Sequence, residues 1–371
     1  MKTVRIENIA DNNETYSDDD IYNITSWGAD LSFREIINMY DDNDLLKPEL
    51  QRKYVWTKKE ASRFIDSLLL GLPVPSVFFA KEANETMLIV DGYQRIMTVY
   101  DYVNGIFSKD GKVFKLFNSE IINPKWRGKS YKELTREEQR RIKNTTIHAI
   151  IFEQKYPSND NTGMFQIFER INTGGKTLKP QEIRNCVYHG RFNALLLKLN
   201  QNKYWKSLLG INEADARMTD LELILRFFAM ADLHKNQNIS TKQIVLVKYL
   251  NVYMGKHCNL SKEKEKHFVD MFEHMVNTCF DLFGKNSFKN LKEDGKSFTN
   301  KINPAIFDAV SVAALYSKKL NASHDIYENR HRKLLQNETF QETVTSRTTN
   351  VDNIRKRIEL AINILYGNNY E

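Results

Sequence analysis

Cysteine is scarce in this sequence, and the three present, Cys186, Cys258 and Cys279, are odd in number, scattered, and never in a Cys-x-x-Cys pair. That excludes a disulfide frame and a thiolate zinc site, and leaves buried thiols as their expected role. Proline (7) and glycine (15) are also few in 371 residues, while 41% of the chain is apolar, which excludes wholesale disorder and predicts a sizeable core. No apolar run approaches the roughly eighteen residues that a membrane span needs, and the Met1 to Ala10 start lacks the apolar stretch of a secretory signal. No membrane partner is expected, and the cytoplasm is the expected compartment. The eight histidines form no His-Glu-x-x-His or His-x-His pattern, and no Asp-His-x-x-Pro nuclease signature stands in the C-terminal half. What is in excess is positive charge, formally +7, which permits attraction to DNA without establishing it.

A chain of this length predicts two domains. Glu7 to Asp20 is acidic and poor in apolar residues, so residues 1–30 are expected to be a flexible lead-in without chemistry. Ser32-Phe33-Arg34-Glu35 and Thr57-Lys58-Lys59-Glu60 fit capping boxes, each followed by apolar residues at helical spacing. The second helix should stop at Gly71, because Pro73 and Pro75 forbid its continuation. Val77 to Ala80 and Met87 to Val90 read as paired strands turning near Asn84, and Ile96, Val99, Tyr100 and Val103 mark a helix that ends at Gly105. Asp91 to Arg95 thus falls at a strand-to-helix junction. A charged helix from Tyr131 to Lys143 and a strand from Ile147 to Phe152 close this mixed part. From Met164 onward the periodicity is helical, with a capping box at Thr219-Asp220-Leu221-Glu222 and further helices near 241–253, 261–283, 304–320 and 351–366. The fold class expected is α+β, a small mixed α/β domain over 31–157 followed by a mainly helical domain over 158–371 that completes a cleft.

A strand that enters a helix through glycine leaves the first helical N–H groups pointing outward, which makes an anion site. Asp91-Gly92 is placed for this, and Arg95 in the first turn opposes the helix dipole unless an anion is also bound. Arg95 can equally be a solvated residue or pair with Asp91. Gln51-Arg52, before Trp56, offers a second guanidinium with a neighbouring amide, and guanidinium suits bidentate phosphate contact; an edge strand with solvated charges explains it as well. A third cluster, Arg170 followed by Ile171-Asn172-Thr173-Gly174-Gly175-Lys176, is a polar turn that could also be a bare helix C-cap. None of the three matches the GxxxxGK[ST] phosphate loop or the GxGxxG fingerprint.

As an ordered set these segments resemble one family. Leu50-Gln51-Arg52-x-Tyr54-Val55-Trp56, Ile65-Asp66-Ser67 through Leu72-Pro73-Val74-Pro75, Val90-Asp91-Gly92-Tyr93-Gln94-Arg95, Phe168-Glu169-Arg170-Ile171-Asn172-Thr173-Gly174-Gly175 and Gln181-Glu182-Ile183-Arg184-Asn185 resemble the ParB/sulfiredoxin-like family at the N-terminus of GmrSD-type modification-dependent restriction enzymes. The resemblance spans about Ser32 to Met230. It implies a nucleotide-binding domain whose Asp-Gly-Gln-Gln-Arg motif is matched by Asp91, Gly92, Gln94 and Arg95, with Tyr93 where the family has its first Gln. If that Gln is essential to hydrolysis, the chain binds nucleotide without turning it over. Family members of the restriction type also carry an HNH nuclease domain, and no such motif stands here, so cutting is expected to fall to a separate nuclease.

The activity this implies is nucleoside triphosphate binding and hydrolysis, an NTPase in a DNA modification-sensing or phage-defence system, with catalysis by positioning and charge neutralisation. Arg52 and Arg95 would clamp the phosphates, with Gln51 beside them, and the Gly92 backbone would let them approach. Gln94 would orient the attacking water, and Asp91 would hold Mg²⁺ brought with the nucleotide or accept a proton. Asn172 and Thr173 would contact the sugar or phosphate tail, with Arg170 supporting the cleft between the domains. Glu182 and Arg184 read equally as a structural ion pair or as ligands. The rival is a non-catalytic DNA-binding sensor or regulatory module that acts with a separate nuclease, its basic cleft on a DNA backbone. A third reading is a degenerate homologue whose helices bind a partner subunit.

Overall fold

The computed structural model describes residues 3–7, 23–46, 54, 56–82, 84–156, 162–171, 178–188, 190–236, 238–239, 241–317 and 323–367. They belong to two compact units, one of Asp20–Leu178 with Asn185–Val187, the other of Met1–Asp19, Lys179–Arg184 and Tyr188–Glu371.

The first unit runs β1 (Asn23–Ser32), α1 (Phe33–Asp41), β2 (Leu45–Leu46), α2 (Lys58–Leu70), β3 (Val77–Lys81), β4 (Met87–Asp91), α3 (Tyr93–Asn104), β5 (Ile106–Phe107), β6 (Lys112–Val113), α4 (Arg136–Asn144), β7 (Thr146–Tyr156) and α5 (Thr162–Ile171). Five strands form one mixed sheet in the order β1-β7-β3-β4-β2, antiparallel at β1/β7 and β3/β4 and parallel at β7/β3 and β4/β2. Alternate strand residues Val77, Phe79, Ile89, Ile147, Ala149 and Ile151 are buried in one cluster with Phe33 and Ile36 of α1, Ile65 and Leu68 of α2, and Ile96, Val99 and Tyr102 of α3. The two-residue period of the strands and the three-to-four-residue period of the helices therefore converge on one apolar layer.

Both N-terminal capping boxes form: Ser32 with Glu35 on α1, and Thr57 with Glu60 on α2. Gly71 and Gly105 end α2 and α3 in the left-handed conformation. The charged helix expected from Tyr131 is instead a 3₁₀ turn, Tyr131–Glu133, and then α4, because Thr135 and Glu138 form a capping box of their own and restart the helix. β1 occupies residues placed in the lead-in up to residue 30; its partner is β7, more than a hundred residues away, and no local pattern announces it.

The second unit contains α6 (Pro180–Val187, its last three residues in the first unit), α7 (Arg191–Leu199), α8 (Lys203–Leu209), α9 (Thr219–Lys235), α10 (Leu246–His257), α11 (Lys262–Phe283), the hairpin β8 (Lys289–Leu291) and β9 (Phe298–Ile302), α12 (Pro304–Ala314), α13 (His324–Leu335), α14 (Glu338–Thr345) and α15 (Val351–Tyr366). Every residue of α12 is buried, Asp308 included. Asp308 is bonded by Arg226 of α9, through Nε at 2.5 Å and Nη2 at 2.7 Å, and by Arg357 Nη2 of α15 at 2.6 Å. A carboxylate on an all-round buried helix needs such partners, since an unpaired buried charge is far more costly.

Two readings are corrected here. The box expected at Thr219 does not form: Met218, at φ 56°, starts α9 with no side-chain cap, while Asp220 accepts from Asn200 and the Asp215 N–H, and Glu222 is drawn to Arg184. Glu7, assigned to the solvated lead-in, donates its N–H to Ile302 and accepts from Asn303 at 2.7 Å. The cysteines form no disulfide among the described residues; Cys186 and Cys279 are buried and Cys258 half-buried, and burial raises the Cys279 thiol pKa. No helix among the described residues is long and apolar enough to cross a membrane.

Candidate functional site

The β4-to-α3 junction is built around one glycine. Gly92 sits at φ 96°, ψ 2°, where an L side chain is strained, and a Cβ there would overlap Val77 Cγ1 on the neighbouring strand. Conformation and close approach thus both demand glycine. No side chain caps the start of α3.

Arg95 lies along this turn with its guanidinium divided between two acceptors. Nη2 donates to Asp91 Oδ2 at 2.6 Å and Nη1 to the Pro75 carbonyl at 3.1 Å. Pro73 and Pro75 keep the approach to β3 out of the helix, so this carbonyl is presented at a fixed place. Of the two readings left open for Arg95, the pair with Asp91 is the one the structure contains. The Asp91 side chain is 40% exposed and the Arg95 side chain 13%, so solvent screens the pair only in part, and a phosphate, itself a bidentate acceptor, can compete for the guanidinium.

Gln94 faces the chain that follows Gln51 and Arg52. Its Oε1 accepts from the Trp56 N–H at 3.2 Å. One turn on, the Thr98 hydroxyl donates to the Gln94 carbonyl at 2.7 Å and shares a 2.6 Å hydrogen bond with the buried Tyr54 hydroxyl, whose pKa burial raises. Tyr54 and Trp56 are therefore both tied to the first turns of α3, and Tyr54 is two residues beyond Arg52. Sequence reasoning missed Tyr54, Thr98 and the Pro75 carbonyl; the Leu72-Pro73-Val74-Pro75 motif was the signal available for the last.

Gln51, Arg52, Asn172 and Thr173 lie outside the described residues. Arg170 is exposed on the last turn of α5, and no hydrogen bond or ion pair joins it to the Asp91–Arg95 turn. Glu182 and Arg184, read as a pair or as ligands, are not paired with each other. Arg184, fully buried, donates to Asn251, Gln181 and Glu222, while Glu182 accepts from the Lys179 N–H and meets Arg217 at 3.2 Å. Tyr93 is a core residue, 7% exposed, with its phenol pKa raised by burial and then by Tyr40 and Asp101. Asp66 is likewise structural: its Oδ1 accepts from Trp126 Nε1 and the Asn123 N–H, tying α2 to the chain before α4.

No group of three or more His, Cys, Asp or Glu side chains gathers to hold a metal among the described residues. Asp91 stands as a single carboxylate, which suits Mg²⁺ only where phosphates and water supply the other ligands.

Residues 33–189, less than half of the chain, match the family model described as the N-terminal domain of GmrSD restriction endonuclease. No curated protein and no solved structure gives a significant match.

Proposed function

We propose that the chain binds a nucleoside triphosphate at the Asp91–Arg95 turn and hydrolyses it, as a cytoplasmic component of a modification-dependent restriction system. The family match over residues 33–189 suggests the role in restriction. The observation that carries the nucleotide reading is the turn itself: a left-handed Gly92 opens an uncapped helix whose first turn carries Arg95, held by Asp91 and the Pro75 carbonyl. The ParB/sulfiredoxin-like assignment belongs to the same proposal.

In this reading the first N–H groups of α3 and the Arg95 guanidinium receive the phosphates, and Gly92 lets them approach. Arg52 enters from the segment tethered at Tyr54 and Trp56, with Gln51 beside it, while Arg170, Asn172 and Thr173 contact the rest of the nucleotide. With Arg95 turned to phosphate, Asp91 would be free to hold a Mg²⁺ brought with the substrate, and that cation would supply charge neutralisation. Gln94 orients water, which requires its oxygen to leave Trp56 or its amide nitrogen to do the work.

One observation favours the non-catalytic sensor: Asp91, Gln94 and Arg95 are all engaged in bonds that hold the fold. The readings separate on phosphate release from GTP, CTP or ATP with Mg²⁺, with and without modified DNA. Turnover that disappears in Arg95→Ala supports hydrolysis. Turnover unchanged in that variant sinks the site, and no release from any nucleotide leaves the sensor.

A further inference from the structure

Eleven basic and five acidic residues lie between Lys109 and Lys143, a surplus of six in a chain whose whole surplus is seven. The excess is concentrated on α4 and the chain leading to it. Arg136, Arg140 and Lys143 follow at i, i+4 and i+7, so they share one face of α4 over roughly 10 Å. Arg136 and Arg140 are exposed and have no hydrogen-bond or ion-pair partner among the described residues. Among the described residues Lys143 has only the ring of Tyr131, 5.8 Å away.

The acids of this stretch form no ion pair with that row among the described residues. Glu138 caps α4 at Thr135 and meets Lys125 at 3.4 Å, Glu133 caps the 3₁₀ turn at Ser130 and meets Lys115, and the exposed Glu137, three residues before Arg140, forms no ion pair with it. Arg136 stands in the first turn of α4, against the helix dipole, and four residues from a like charge, and both placements cost tenths of a kcal/mol without an anion. Beside the row, Arg141 lines a cavity of about 230 Å³ with Lys125, Trp126, Glu137 and Glu138. The only apolar residue of α4 is Ile142, fully buried, so this face lacks the apolar side that a lipid surface requires.

We propose that the Arg136–Arg140–Lys143 face of α4 docks on the phosphate backbone of duplex DNA. The charge argument is independent of the nucleotide site; the choice of DNA as the polyanion rests on the restriction reading above. Contacts of this kind add affinity without sequence preference and are lost as salt releases the counterion gain.

The test is fluorescence anisotropy of the full chain on an unmodified 30-base-pair duplex between 50 and 200 mM salt. The triple variant R136Q/R140Q/K143Q should bind roughly tenfold or more weakly, with the slope of log K against log salt shallower by about 2 to 3, near 0.9 per lost phosphate contact. The charge-matched variant K262Q/K264Q/K266Q, on the exposed start of α11, should bind as the parent does. Equal binding and slope in parent and α4 variant overturns the proposal, as does binding to anionic phospholipid vesicles in place of DNA. Phosphate release by the α4 variant keeps the two readings apart: turnover retained with DNA binding lost supports this surface alone, and DNA binding retained without any turnover removes only the nucleotide site.

Discussion

Replacing Asp308 by asparagine keeps the shape of the side chain and removes its charge, leaving the guanidinium groups of Arg226 and Arg357 facing a neutral amide in a fully buried place. Arg226 holds both carboxylate oxygens, and Arg357 shares one of them while donating to the Thr348 carbonyl at 2.7 Å. Burial already lowers the Arg357 pKa, against the attraction of Asp308. Breaking a buried pair from one side costs about 3–5 kcal/mol, because the remaining charge stays desolvated. With about 2–4 °C per kcal/mol for a unit of this size, the helical unit of Asp308→Asn should melt roughly 6–20 °C lower by calorimetry at pH 7. The triple variant Arg226→Met/Asp308→Leu/Arg357→Met, which removes all three charges, should recover most of the loss. A single variant melting within about 2 °C of the parent would refute the claim that this carboxylate holds α9, α12 and α15 together.

Gly92→Ala should cost about 1–3 kcal/mol from the left-handed backbone and the overlap with Val77, and should weaken nucleotide binding in a titration; unchanged affinity would separate the glycine from the ligand. Tyr93→Gln, which restores the residue usual in the resembled family, should destabilise by about 2–4 kcal/mol in urea unfolding without raising phosphate release, since this position faces the core; a gain in turnover would contradict that. His331 is buried between Phe283 and Phe298, its Nε2 has no hydrogen-bond partner among the described residues, and burial lowers its pKa to about 4. The unfolded chain therefore binds the proton first, so its contribution is complete above pH 6.5, declines as pH falls, and is gone below about 4, a loss of ~3 kcal/mol. Urea midpoints from pH 7 to 4 should flatten in His331→Phe, with His234 and His257, also lowered by burial, retaining part of the slope.

The parts of the fold legible in the sequence are those whose cause is local. Ser32 and Glu35, or Thr57 and Glu60, find each other within a turn of helix, and the Asp91-Gly92 junction follows from a strand pattern, a glycine and a helix pattern in succession. α11 and α15 run where their apolar spacing predicts. What was not legible depends on distant partners. β1 has a strand only because β7 meets it, and Thr219 to Glu222 has the letters of a capping box whose acids are claimed by Asn200, Asp215 and Arg184. In the site, Asp91 and Arg95 could be paired from their spacing, but Tyr54 reaching Thr98, and Arg95 reaching the Pro75 carbonyl, are tertiary facts.

The strand order β1-β7-β3-β4-β2 also sets a timetable for synthesis. β1 leaves the ribosome early, yet its neighbour β7 is the last strand of this sheet to be made and must slot between β1 and β3. At about 5–20 residues per second the edge bearing the exposed Trp27 waits on the order of ten seconds for its mate. During that interval the nascent chain offers an open row of amides and an indole to any passing strand, so chaperone demand and aggregation on overproduction should be governed by how soon β7 arrives.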